Sequence, residues 1–233
     1  MYNSLEATSR RNGNRVTFAT EAHTENELKR IRNAFRQYNA GLNYFHDLVV
    51  KGKFRMALKG YKSAYKILAE DIQLRNAEMA TQISQLANDP QYSAVVANLG
   101  HLHIGICHEL GKLGYEAATS VLGRLTEEML TPNGGSNIGL IVGLTTTSDE
   151  ISLLDWNKAM ISEVLFNTIR EYFNLTNDID ADSFHRAREF ANSRVANLSL
   201  EDLQSIEEKI RQAPGKNRKE SFLQAFGVPL NAF

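Results

Sequence analysis

Cysteine is almost missing from this chain. One thiol, Cys107, among 233 residues excludes an internal disulfide and points to a reducing compartment. Long apolar runs are missing as well: none approaches the roughly 20 residues that a membrane-spanning helix needs. The opening Met1-Tyr2-Asn3-Ser4-Leu5-Glu6 lacks the basic-then-apolar layout of a secretory signal. The expected location is therefore intracellular. A surplus of either charge is absent, since the formal net charge is -1.

Familiar catalytic patterns are missing too. There is no Gly-x-Ser-x-Gly, and no Cys/His pairing suggests a nucleophile. Gly134-Gly135-Ser136-Asn137-Ile138-Gly139 lacks the Lys-Ser/Thr of a phosphate-binding P-loop and reads as a hinge. His101, His103, Cys107 and His108 crowd one segment, but no second ligand pair completes a tetrahedral metal set. His108-Glu109 fails as a zincin motif because Lys112 occupies the second histidine position. The run from Asp178 to Glu189 matches the acidic positions of an EF-hand loop. However, Ser183 stands where the sharp turn needs glycine, and His185 stands at a usually apolar position. Asp182 as a helix N-cap is the simpler reading. The expectation is a protein that is not an enzyme and has no cofactor and no metal site.

What is present is ordinary globular material, with 42% hydrophobic and 23% charged residues, which argues against wholesale disorder. The hydrophobic residues recur with helical spacing. Leu28, Ile31, Phe35, Tyr38, Leu42, Phe45 and Val49 alternate steps of three and four, which places them on one stripe of a helix opened by Thr24 and Glu27 as a capping box. Gly52 separates it from a second stripe, Phe54, Leu58, Tyr61, Tyr65, Leu68 and Ile72, which extends toward Asn88-Asp89-Pro90. A third stripe runs from Tyr92 to Leu113, and a further helix is expected over residues 117–130. Ile138 to Leu144 fits a short strand or a buried helix equally well. Thr147 with Glu150 predicts a helix to about Phe173, and shorter helices follow over residues 183–195, 200–211 and 216–226. The fold class is therefore predominantly all-α. The expected layout is an N-terminal arm (1–23), a helical lobe (24–131), a Gly-rich junction (132–149), a second helical lobe (150–226) and a short tail (227–233).

The near-zero net charge conceals an asymmetry. Residues 1–75 carry a balance of +7 and the remainder a balance of -8, a polarity suited to a polyanion or to head-to-tail self-contact. The basic half contains Lys51, Lys53, Arg55, Lys59, Lys62 and Lys66 with no acid between them. Arg55, Lys59, Lys62 and Lys66 step by four, three and four, so on a helix they form a basic ridge. Phosphate neutralisation with counterion release drives sequence-independent nucleic-acid binding. These six cations are the candidate RNA contacts, with Tyr65, and Tyr61 beside it, as candidate stacking groups. Lys29, Arg30, Arg32 and Arg36 add a second basic set on the preceding helix.

The C-terminal Lys216-Asn-Arg-Lys-Glu-Ser-Phe222-Leu223-Gln-Ala-Phe226-Gly227-Val-Pro-Leu-Asn-Ala-Phe233 is a short amphipathic helix stopped by glycine. Its Phe-Leu-x-x-Phe-Gly core resembles the last helix and tail of nucleoproteins from the bunyavirus group of segmented negative-strand RNA viruses. The resemblance implies a two-lobed helical fold with genomic single-stranded RNA in a basic cleft. It also implies terminal arms that pack onto neighbouring protomers, and a place in the virion and host cytoplasm. The expected function is a non-enzymatic, RNA-coating, capsid-like nucleoprotein. The alternative is a matrix or scaffold protein whose basic half meets an acidic half or an acidic lipid surface, and a metal-dependent enzyme of the acidic half is a third class.

Overall fold

The computed structural model describes residues 25–97, 99, 103, 105–117, 137–146, 151–176, 181–213 and 217–231. They form eight helices and no strand: α1 (Glu25–Val50), α2 (Phe54–Ala87), α3 (Ile106–Lys112), α4 (Asn137–Thr146), α5 (Leu153–Tyr172), α6 (Ala181–Ala196), α7 (Leu200–Gln212) and α8 (Arg218–Ala225). Helix α5 is the centre. It is buried almost continuously from Trp156 to Ile169, and its buried polar residues Asn157, Lys158, Ser162, Glu163 and Thr168 are each hydrogen-bonded, as burial requires. Helices α1, α2, α4, α6 and α8 pack on it.

The first two stripes fold as their spacing predicts, into the long antiparallel α1–α2 hairpin. Its turn is a Schellman stop: Gly52, at φ 64, donates to the Val49 carbonyl, and Lys53 donates to that of Leu48. Helix α8 ends the same way. Gly227, at φ 70, donates to Gln224 and Val228 donates to Leu223, with the side chains of Val228 and Leu223 both buried. The Phe-Leu-x-x-Phe-Gly run is thus a helix stop that pins Phe222, Leu223 and Phe226 into the core.

Several expectations need correction. Among its described residues the third stripe yields one α-helix, α3, and residues 92–97 are not helical. Tyr92, Val95 and Leu99 of this part of the stripe are half-buried all the same, and Leu99 packs against Met79, Ala80, Ile106 and Leu110, so these apolar groups are covered without a helix over residues 92–97. Ile138 to Leu144 is helix. Helix α5 opens at Ser152, whose hydroxyl accepts from the Asp155 amide, so the cap expected at Thr147 is not the one that starts it. Asp182 lies inside the first turn of α6 rather than at its cap. Among the described residues one core cluster takes Phe45 to Ile72 together with Leu140 to Val228. A small satellite forms from Met79, Ala80, Ile106 and Leu110. The expected arm at 1–23, the helix over 117–130 (beyond Ala117), and the Thr24 and Thr147–Glu150 caps lie outside the described residues. No helix among the described residues is long and apolar enough to cross a membrane.

Candidate nucleic-acid interface

The basic ridge begins at a helix start, where a cation is electrostatically unwelcome. Lys53 occupies the N-cap position of α2 and makes no side-chain cap hydrogen bond. The compensation comes from α7: the Phe54 amide donates to Glu207 Oε1 at 2.7 Å. The hairpin turn is wedged against the same helix, since a methyl group on Gly52 would lie 2.8 Å from the Glu207 carbonyl oxygen.

Of the proposed phosphate contacts, Lys53, Arg55, Lys59 and Lys66 are exposed, with no acidic partner within 4 Å among the described residues. Two others are committed elsewhere. Lys51 pairs with Asp47 at 2.5 Å. Lys62 leans over the Trp156 ring, 5.4 Å from its centre, a cation–π contact with the central helix. The ridge is therefore narrower than its spacing implied.

The stacking role expected of Tyr65 is overturned, and that of Tyr61 with it. Both side chains are fully buried. Tyr65 donates to Glu163 Oε2 at 2.6 Å, and its hydroxyl lies 3.0 Å from that of Tyr38. The Tyr38 hydroxyl also donates toward Glu163 Oε1 at 3.4 Å, so both tyrosine hydroxyls converge on the one carboxylate. Tyr61 stacks on Tyr65 at 4.3 Å between ring centres and meets Trp156 edge-on. Glu163, on α5, is the buried acid at the middle of this group. Burial pushes its carboxyl up, against the opposing pull of the tyrosine hydroxyls and Arg188. Arg188 stacks on Phe166 with its guanidinium carbon 3.8 Å from the ring centre. Burial likewise raises Tyr65 and Tyr61 well above the ordinary phenol range. These tyrosines already stood on the second apolar stripe, which was the signal that they face inward.

The second basic set divides in the same way. Arg30 turns inward to the buried Asp71 at 3.5 Å and reaches Glu78 at 3.9 Å. Arg75 approaches Asp71 from the other side. Lys29, Arg32 and Arg36 point outward and, with Glu25 and Asn33, line an open depression of about 540 Å³. Side-chain contacts fix the register of the hairpin. Arg30 pairs with Asp71, Tyr38 meets Tyr65, Gly41 abuts Ala64 and Tyr44 lies beside Gly60. In this antiparallel register Arg36 and Lys66 stand at about the same level, each beyond the Tyr38–Tyr65 pair on its own helix. The outward cations of α1 thus continue the direction of those on α2.

Sequence spacing missed Tyr44. It falls off the stripe of Leu42, Phe45 and Val49 and is 59% exposed. An aromatic residue off the apolar stripe was the available signal. Among the crowded histidine segment, the His103 ring is engaged by Asn76 and Arg75, and no group of three metal-ligating side chains forms among the described residues. His101, Asp178, Asp180 and residues 134–136 lie outside the described residues. The expected exchange tail also begins by serving its own chain, because Val228 is 2% exposed in the main core and Leu230 packs against it. No protein-family model, curated protein or solved structure matches this chain.

Proposed function

We propose that this chain binds single-stranded RNA without sequence preference through the outward face of the α1–α2 hairpin, as a non-enzymatic, self-assembling, capsid-like nucleoprotein. The observation that carries the reading is the set of exposed cations on two adjacent helices, which outnumber the exposed acids beside them, Glu25 and Glu70. Lys29, Arg32 and Arg36 stand on α1, and Lys53, Arg55, Lys59 and Lys66 on α2. Residues 55 to 66 span about 16 Å of helix at 1.5 Å per residue, a length over which several phosphates of an extended strand pass. Like charges held on a rigid scaffold repel one another until counterions or phosphates neutralise them. The C-terminal resemblance supports the nucleoprotein form of the reading.

The test is RNA binding across a salt series. Seven phosphate contacts predict a log–log slope of about -5, so a fourfold rise in salt weakens binding roughly 1000-fold. Reversal of Arg36, Lys59 and Lys66 to glutamate is expected to abolish binding at moderate salt, while Lys62→Glu acts mainly on stability through Trp156. Salt-insensitive binding, or binding that survives the triple reversal, overturns the proposal. Native mass that is indifferent to nuclease but falls with salt supports the scaffold alternative instead.

A further inference from the structure

Between the two cationic shoulders runs a seam of different chemistry. Helical spacing puts Met56, Gly60, Ser63 and Ile67 on one strip of α2, on the side that meets α1. Gln37, Ala40 and Tyr44 line the matching strip of α1. The seam carries no charge. Gly60 and Ala40 keep its floor low, and the Tyr44 ring lies across it, its Cδ1 3.8 Å from where a methyl group on Gly60 would sit. Tyr44 is 59% and Met56 56% exposed, so a flat aromatic and a polarisable thioether face solvent, with Arg55 and Lys59 beside Met56 on α2 and the Asp47–Lys51 ion pair one turn beyond Tyr44 on α1. Lys59 and Arg55 stand one step round α2 from Met56, and Arg36 one step round α1 from Ala40.

Resting on the RNA reading above, we infer that this seam receives unpaired bases, with Tyr44 as the stacking platform and Met56 as its apolar neighbour. The shoulders hold the phosphates on either side. A phosphate chain without bases leaves the tyrosine face wet, and a duplex keeps its bases inside the helix. The surface therefore selects single-stranded nucleic acid over duplexes and over simple polyanions of equal charge. Base-on-aromatic stacking is tolerant of sequence because every base presents a π face, which matches a coating function.

The experiment compares Tyr44→Ala, Tyr44→Phe and the Arg36/Lys59/Lys66 charge reversal against three probes: a labelled oligouridylate, a duplex of the same length, and inorganic polyphosphate. Y44A is expected to lose roughly 5- to 100-fold in oligouridylate affinity, the range for one stacked base, with polyphosphate binding unchanged. Y44F is expected to keep wild-type affinity because the ring remains. Unchanged oligouridylate binding by Y44A, while the charge reversal still abolishes it, overturns the seam and leaves the phosphate reading standing. Equal losses on all three probes overturn it too, because the tyrosine would then act only through the scaffold. A change in native mass with no change in oligouridylate affinity assigns the seam to contact between copies and likewise overturns it. Failure of the charge reversal to weaken any probe removes the reading beneath it.

Discussion

Replacing Gly52 by alanine tests the architecture that presents the hairpin. Gly52 sits at φ 64 and is buried. An L-residue in this left-handed region costs about 1 to 2 kcal/mol. The added methyl group would also lie 2.8 Å from the Glu207 carbonyl oxygen, 2.8 Å from Arg211 Cγ and 3.2 Å from the Arg211 amide. The arginine carbon can swing aside, but the carbonyl belongs to the backbone of α7, and overpacking of this kind costs a further 1 to 3 kcal/mol, roughly. Any retreat of α7 also pulls the Glu207 carboxylate from the Phe54 amide it caps. The expected destabilisation is about 3 kcal/mol, or roughly 6 to 12 °C in Tm for a chain of this size. Far-ultraviolet circular dichroism melts and urea titrations measure it. Gly60→Ala is the control. Gly60 lies within α2, where the methyl group meets only Tyr44 at 3.8 Å, so relief of glycine's entropy stabilises by about 0.5 to 1 kcal/mol. A G52A protein within 1 kcal/mol of wild type, roughly, would refute the account of the turn.

Glu163 is expected to make stability fall with rising pH. Its carboxyl is raised by burial from an ordinary value of 4.5, so its contribution is full below that value and is lost as pH climbs through the folded pKa. The slope is at most about 1.4 kcal/mol per pH unit. Subtracting the pH–stability profile of Glu163→Gln from wild type should isolate this fall, and parallel profiles would count against it. His46 runs the other way. Burial lowers it from 6.5, so its contribution is present above that pH and is lost as pH falls toward the folded pKa. Thr168 already donates its proton to the Val164 carbonyl, so the His46 Nε2 proton donates to Thr168. An NMR titration should give a midpoint below that of free histidine and a neutral Nε2–H tautomer. Lys158 donates to the Ala196 carbonyl at 2.6 Å, closing the C-terminus of α6 with a cation. Lys158→Met should cost about 1 to 2 kcal/mol and speed amide exchange in the last turn of α6, while the exposed Lys53→Met should change stability by under about 0.5 kcal/mol.

Much of the fold was legible locally. The three-four spacing of Leu42, Phe45, Val49 and of Phe54, Leu58, Tyr61, Tyr65, Leu68 places α1 and α2 because a helix buries whatever recurs at its own period. Gly52 and Gly227 mark stops because a Schellman turn requires a left-handed residue. The same reading failed over residues 92–97. There Tyr92 and Val95 are half-buried although the backbone between them is not helical, because an apolar group can be covered from an irregular segment as well as from a helix, and periodicity does not distinguish the two.

The chain's sequence by itself determined the helical class, the two long helices and the basic character of the first third, since each follows from spacing or composition within a few turns. Only the tertiary structure decided which of those groups face water. Tyr65 is buried because α5 brings Glu163 to its hydroxyl. Lys62 is taken up by Trp156, and Arg30 by Asp71 on the opposite helix of the hairpin. Tyr44 is left outside because α2 offers Gly60 where it crosses. Each of these outcomes depends on a partner on another helix, and side-chain desolvation and ion pairing are settled by that partner rather than by the neighbours in sequence.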